Sequence, residues 1–391
     1  MTIIIFVTSS SLIICLFQSQ HIDADANYYD SKVMNNETFL NDTNPESLVA
    51  AFSNGMDLSS YTQPKKTDLM ISDGNFTMEQ LAKLYPDILE KMHSNDSEKI
   101  YLIKKTIVID KDAALNIIDS KVLLKSLPIK DNVPVRIITY GKTDIINSTV
   151  ISWDPERKRP DFNPYHPRSF LVAKDGGQMN VIGSTISYLG FSHGGIHTLF
   201  SSLAALSYYN TSSFTIAEST ISYNLHGFYS DETSKFEITG NEIFGNVGYG
   251  LDPHTGSADF VIDSNHLFSN GAQAIICSLK CKNVTVINNT VEYNGEGIGL
   301  HWLTNSSVVK NNIVKYNKGY GMFIKNSSHN NIIENNTILG NGYGIGLLEK
   351  SNENILRSNL LIGNILTKDQ IYTDENSQLN LIEDNDFERD H

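Results

Sequence analysis

Asn289-Thr290-Val291-Glu292-Tyr293-Asn294 is one occurrence of a pattern that returns six times between residues 241 and 364. Its first asparagine recurs at Asn241, Asn265, Asn289, Asn312, Asn336 and Asn359, at intervals of 24, 24, 23, 24 and 23 residues. Two residues after each stands an apolar side chain: Ile243, Leu267, Val291, Val314, Ile338 and Leu361. Five residues after each comes a second asparagine: Asn246, Asn270, Asn294, Asn317, Asn341 and Asn364. A period in the twenties marks a stacked-repeat architecture. The intervening segments, such as Phe260-Val261-Ile262 and Val284-Thr285-Val286-Ile287, are short, β-branched and punctuated by glycine, which reads as strands. Helical or leucine-rich repeats would need a longer amphipathic stretch. The fold expected is all-β, a right-handed parallel β-helix with a short N-terminal capping helix.

The asparagine columns have a physical reason. At a sharp corner the chain visits the left-handed region, which Asn tolerates through local hydrogen bonds. Coils stacked about 4.8 Å apart place identical amides above one another, where they bond along the column. These asparagines are scaffold.

At 391 residues the chain could hold two compact domains, but a solenoid buries its core coil by coil and escapes that limit. The formal net charge of −14 excludes nucleic acid as a partner, since such binding rests on a basic face. It also counts against a strongly anionic partner. Ile3 to Phe17 is an uncharged apolar run, short for a membrane span, followed by Ala24-Asp25-Ala26, a small-x-small cleavage pattern. Residues 1–26 are therefore expected to be a secretory signal peptide, although the start lacks Lys and Arg; an uncleaved anchor is the other reading. Lipid attachment at Cys15 is disfavoured by the bulky Ile14. Residues 27–75 are polar and aperiodic, with Asn-x-Ser/Thr triplets at Asn36, Asn41 and Asn75, and are expected to be a disordered linker. Thr77 to Met92 carries Leu81, Leu84, Ile88 and Met92 on one helical face, so residues 76–99 are expected to form the capping helix and 100–391 the solenoid. Cys277 and Cys281 could bridge only if Ser278-Leu279-Lys280 turns, and the sequence leaves disulfide and free thiols equally open.

Function should sit where the repeat is broken. The clearest break is Tyr249-Gly250-Leu251-Asp252-Pro253-His254-Thr255. Asp252 falls 13 residues before Asn265, where the next coil has Ile276, 13 before Asn289. A carboxylate thus replaces an apolar residue, and Pro253 withholds a backbone donor inside a sheet. The same register sets Asp231 and Glu232 one coil earlier, Ser278, Leu279 and Lys280 one coil later, then His301 and Trp302, then Lys325 and Asn326. A strip of Asp231, His254, His301 and Lys325, with Tyr229 and Tyr249 nearby, suits a linear polysaccharide, because aromatic faces stack on sugars. Each of these aromatics taken singly is also explained as corner packing. His193 and His197 have metal-like spacing but a glycine-rich, non-helical context, so no metal site is expected. Leu199–Tyr209 inserts into the repeat, since Ile186 and Ile221 are 35 residues apart rather than 23, and could wall a groove.

The run Gly227-Phe228-Tyr229, then Thr239-Gly240-Asn241, then Tyr249 through His254 resembles the central coils of periplasmic mannuronan (alginate) C5-epimerases. Ser152-Trp153-Asp154 and Gly183-Ser184-Thr185 followed by Leu189-Gly190 are similar too, and the likeness covers roughly residues 145–345. The resemblance implies a right-handed parallel β-helix that abstracts the C5 proton of a uronate residue in a polymer and returns one to the other face. It implies that His254 is the base and that Asp252 orients it, and a His acid/base suits neutral pH. The family pattern departs at Thr255, where an acidic residue is usual, and at Leu279, where an arginine neutralises the substrate carboxylate. Losing such a donor typically costs 10²–10³ in rate.

Three functions remain open on these grounds. The first is an exported polysaccharide-modifying enzyme, most like a poly(mannuronate) C5-epimerase. There His254, Asp252 and Tyr249 would be catalytic, Tyr249 as a second proton carrier, with Thr255, Asp231, Tyr229, Lys280, His301, Trp302 and Lys325 binding substrate. Lys280 or His301 would then replace the missing arginine. The second is a polysaccharide lyase, which shares the first step and then expels the 4-linked sugar. The third is a non-catalytic glycan-binding or structural surface protein. No cofactor is expected, and calcium is compatible but not indicated; the partner expected is a uronate-containing polysaccharide, bound by a monomer.

Overall fold

The computed structural model describes residues 6–8, 11–13, 62–93, 98–126, 134–163, 166–192, 202–366 and 369–388. Met1–Leu48 forms one unit, in which Phe6–Thr8 pairs antiparallel with Ser11–Ile13. The remainder of the expected signal peptide, and residues 27–61 of the expected linker, lie outside the described residues. No described helix is long and apolar enough to cross a membrane.

The second unit, Val49–His391, is a right-handed parallel β-helix of about 11 turns. Its strands fall into a 14-stranded and a 22-stranded sheet, and strands one coil apart pair in parallel. Ile243, Leu267, Val291, Val314, Ile338 and Leu361, the apolar members of the repeat, are all fully buried in one continuous core. Aromatic rings stack inside it from coil to coil, Phe214 on Phe236 at 4.9 Å and Phe236 on Phe260 at 4.3 Å.

Both asparagine columns are amide ladders. In the first, Nδ2 donates to the next Oδ1 from Asn241 to Asn265 at 2.8 Å, then through Asn289, Asn312, Asn336 and Asn359 at 2.9–3.0 Å. The second runs from Asn246 through Asn270, Asn294, Asn317 and Asn341 to Asn364 in the same way. The left-handed corner is not the ladder residue itself, as the sequence reading had it, but the residue before it: Ser264, Asn288, Asn311, Asn335 and Ser358 have φ of 54–57°. The ladder amides are buried and use both ends plus their own N–H, which a solvent-facing corner side chain could not do. Towards the N-terminus serines continue the first ladder: the N–H groups of Ser120, Ser148 and Ser184 each donate to the next serine's Oγ, and Ser219 N–H to Asn241 Oδ1.

At the N-terminal end the expectations need correction. The helix is Met78–Leu84, capped by a reciprocal Thr77–Gln80 pair and burying Met78 and Leu81. It ends at Tyr85 because Pro86 follows, and a residue before proline is driven out of the helical region. Leu89–Met92 is instead a strand, antiparallel to Lys99–Ile103. Leu69–Thr77 pairs in parallel with Ile107–Ile118, so regular structure begins within the expected linker and before the helix. The inserted segment also differs. Leu206–Tyr209 is a regular rung between Phe170–Lys174 and Phe228–Asp231. Within the extra length Phe191–Ser192 pairs antiparallel with Ser202–Leu203. Phe191 and Leu203 pack on Phe170 and Val172 in a second cluster separate from the main core. His193 and His197 lie outside the described residues.

Asn289 accepts from Asn265 N–H and Nδ2 and donates to Ile262 O, Ile287 O and Asn312 Oδ1. Asn289→Leu strips the buried Asn265 N–H of its acceptor and the Ile262 and Ile287 carbonyls of a donor, so chemical denaturation should give an unfolding free energy lower by about 3 kcal/mol or more. The exposed Lys282→Ala should stay within about 0.5 kcal/mol of the parent.

Candidate active site

Successive side chains of a strand alternate between core and exterior. In Leu251–His254 the inward residue Leu251 is fully buried in the core, which turns Asp252 and His254 to the outer face of the 22-stranded sheet. Parallel register stacks side chains of each coil on the next. One column runs Lys174, Tyr209, Asp231, His254. It continues through Ser278, because Leu251 pairs with Ile275, and then to His301 and Lys325. A neighbouring column runs Ser207, Tyr229, Asp252, Ile276, Gly299, Phe323. Gly299 is required here, since a Cβ would lie 2.3 Å from the Phe323 ring. The predicted strip of Asp231, His254, His301 and Lys325 is therefore one column. Ser278 and Tyr209, which were not anticipated as site residues, belong to it.

At the corner after this strand the residues are left-handed: Thr255, Leu279, Trp302, Asn326 and Glu349 have φ of 32, 54, 50, 56 and 53°. Four of these side chains, those of Thr255, Trp302, Asn326 and Glu349, lie against residues of the column. Thr255 Oγ1 is 2.7 Å from His254 Nδ1. Among the described residues Thr255 is the only β-branched residue with positive φ, a conformation that is sterically unfavourable for its branched side chain. The Tyr229 hydroxyl is 3.4 Å from His254 Nδ1 and donates to Asp231 Oδ2 at 3.4 Å. His254 thus has its Nδ1 edge held by two hydroxyls, leaving Nε2 for the exterior. Two coils on, His301 donates from Nε2 to Asn326 Oδ1 at 2.6 Å, Asn326 Nδ2 donates to Glu349, and Glu349 pairs with Lys325 at 3.1 Å.

The remaining predicted residues are placed differently. Tyr249 lies before the Gly250 corner, in a separate column, with its ring stacked on His226 at 5.0 Å and its N–H donated to His226 Nδ1. The tyrosine beside His254 is Tyr229. Lys280 is exposed on a second left-handed residue past Leu279, and among the described residues it makes no ion pair to Asp231 or Asp252. Trp302 is half-buried, its ring 5.5 Å from that of His301. Cys277 and Cys281 are buried free thiols, with Cys281 Sγ donating to Pro253 O at 3.4 Å. Among the described residues no group of three or more His, Cys, Asp or Glu converges as a metal site.

The electrostatics are unusual. Burial, reinforced by the Glu232 charge, pushes the Asp231 carboxyl up to about 6. Asp252 is driven well above the ordinary carboxyl range by burial and then by Asp231. Burial brings His254 down to about 4, and burial with the Lys325 charge brings His301 down to about 3. At neutral pH both imidazoles are uncharged. Asp252 Oδ1 and Tyr209 OH are also buried without a hydrogen-bond partner among the described residues. Buried polar atoms without partners are rare and call for an explanation. Asp252 shares the strand of His254, and Tyr209 lies two rungs away in the His254 column.

A family profile for the right-handed β-helix region matches residues 204–361. The mannuronan C5-epimerase of Pseudomonas syringae pv. tomato is 27% identical over 265 residues, 64% of this chain and 47% of that protein. The mannuronan C5-epimerase AlgG of Azotobacter vinelandii is 25% identical over 309 residues, 69% of this chain and 57% of that protein. The chain thus spans about half the length of the curated relatives it matches. The crystal structure of the periplasmic alginate epimerase AlgG superimposes with a TM-score of 0.69 at 18% identity, over 83% of this chain and 85% of that one.

The raised Asp252 carboxyl costs stability at higher pH: the folded state holds its proton more tightly than the unfolded chain, so stability falls as pH rises through the folded-state value. Asp252→Asn should therefore be more stable than the parent at pH 8, by on the order of 1 kcal/mol of unfolding free energy, with the gap closing towards pH 4 in calorimetry. In sequence and in fold alike, the chain is a right-handed parallel β-helix protein that resembles the mannuronan C5-epimerases.

Proposed function

We propose that the protein is an exported, monomeric polysaccharide-modifying enzyme that inverts C5 of uronate residues within a polymer, as an epimerase of the mannuronan C5 type. The observation that carries this reading is the outward imidazole of His254, fixed at Nδ1 by Thr255 and Tyr229 and set beside the unpartnered Asp252 Oδ1. If Nδ1–H donates to Thr255 Oγ1, Nε2 keeps its lone pair and can accept the C5 proton. Its lowered proton affinity keeps the base free at neutral pH. Burial favours the protonated form of the Asp252 carboxyl, which in that form donates to the substrate carboxyl oxygen on which charge develops. A sugar lying along the column turns its other face to solvent, from which water delivers the second proton. Coil spacing of about 4.8 Å lets successive sugars meet successive rungs, among them Asp231, His301 and Trp302. The reading calls for no cofactor.

Deuterium uptake at C5 from heavy water, followed by NMR on uronate polymers, tests it. The parent should incorporate deuterium and His254→Ala should lose at least about 10²-fold in rate. Uptake unchanged in the variant, or polymer binding without any uptake, would sink the proposal. An ultraviolet-absorbing unsaturated product would instead assign the elimination reaction.

The pH dependence carries a sign. His254 accepts a proton only when unprotonated, so kcat/KM should hold from neutral pH to about 5 and fall about tenfold per unit below about 4. An unperturbed histidine would begin to lose activity near pH 6.5.

A further inference from the structure

The rungs on either side of His254 offer an arriving carboxylate no positive partner. Towards the N-terminus the column presents Asp231, with Glu232 on the adjoining corner, and then Tyr209. Towards the C-terminus the next coil presents Ile276, Ser278 and Leu279, of which Ile276 and Leu279 are buried apolar side chains outside the main core. The column holds two lysines, and both are engaged. Lys174 contacts Asp175 at 3.7 Å and Thr62 at 3.5 Å, and Lys325 pairs with Glu349 at 3.1 Å. Each lies three rungs from His254, about 14 Å at the spacing of stacked coils. Lys280, past Leu279, is exposed to water.

A carboxylate attached to C5 must come within a few ångströms of the imidazole that removes the C5 proton. Bringing that anion beside Asp231 and Glu232 and against an apolar wall, with neither column lysine in a neighbouring rung and only the proton of Asp252 to meet it, is a costly arrangement, and further charge developing on it would be costlier. An uncharged ester avoids both penalties. Its C5 proton is more acidic than that of the free acid, and its alkyl group would rest on Ile276 and Leu279.

Building on the reading above, we infer that the site takes uronosyl residues whose carboxyl is esterified, and discriminates against the free carboxylate. The step balances without an added reagent. His254 Nε2 takes the C5 proton, the C–H electron pair moves into a C5–C6 enolate of the ester, and the Asp252 hydroxyl donates to the enolate oxygen. Water then protonates C5 on the opposite face, the imidazolium returns its proton to the hydroxide formed, and the ester is unchanged. Burial of Asp252 supports the donor role, since it favours the protonated carboxyl.

The test compares C5 deuterium uptake at pH 6.5 in polymannuronate and in its methyl ester, with the full chain. The parent should exchange the ester at least tenfold faster than the acid, and Leu279→Arg should move that ratio towards the acid at least tenfold. The parent ratio is decisive even if the variant fails to fold. Equal or faster exchange in the free acid overturns this inference and leaves the C5 reading standing. Exchange in neither polymer overturns both.

Discussion

Strict parallel register between coils is the constraint on which everything else rests. Each buried ladder amide bonds to the same amide above and below it, so a rung cannot slide without breaking bonds on both sides. A shift of one residue would also exchange the core-facing and outer sets of every strand. That rigidity is what turns a one-dimensional sequence offset into a spatial neighbour. Asp231 and His254, 23 residues apart, meet because Asn241 and Asn265 are locked 24 apart in the adjoining corner.

The same constraint explains how the Asp252 coil can break the pattern. Pro253 lacks an N–H, and the strand Leu251–His254 keeps only the Leu251–Ile275 pair with the following rung. Its neighbours are paired far more fully; Ala258–Asp263, in the same coil, has five partner pairs with the next. Stability in a solenoid is summed over rungs and their interfaces, so one rung can carry a loosened strand, a buried orphan oxygen and a strained Thr255 while the rest hold it in place. Polar groups left unsatisfied in this way are tolerable only where something else compensates them, and a bound ligand is the natural candidate.

Much of this was legible in the residues. Equal spacing exposed the amide ladders, because asparagine at a fixed period is improbable without a reason, and the alternation around Leu251 set Asp252 and His254 on one face. The serine extension through Ser120, Ser148, Ser184 and Ser219 escaped notice, since serine is common and its intervals there are uneven. A third ladder, Asn331 to Asn354 to Asn380, was hidden by spacings of 23 and 26 residues. Tyr249 was assigned to the histidine because it is near in sequence, but the Gly250 corner sets it in another column, while Tyr229 arrives from the previous coil. The helix was read too long because its apolar period continues past Pro86, where the backbone cannot follow.

A scaffold of this kind also separates the chemistry of a site from the chemistry of its neighbours. On the proposed reading the Asp252–His254 rung supplies a base and a carboxyl, and the rungs on each side would decide which form of the substrate can approach them. Leu279 and Thr255 occupy equivalent left-handed corners one coil apart, yet one corner sets a hydroxyl on the imidazole and the other sets an apolar wall beside it. Neither residue takes part in the amide ladders, whose bonds run between asparagines. Corner residues are therefore free to vary while the strand residues keep their place, and in this chain the corner one coil past His254 carries the buried, apolar Leu279. On the proposed reading, that corner is where a charged and an uncharged uronosyl carboxyl would be told apart.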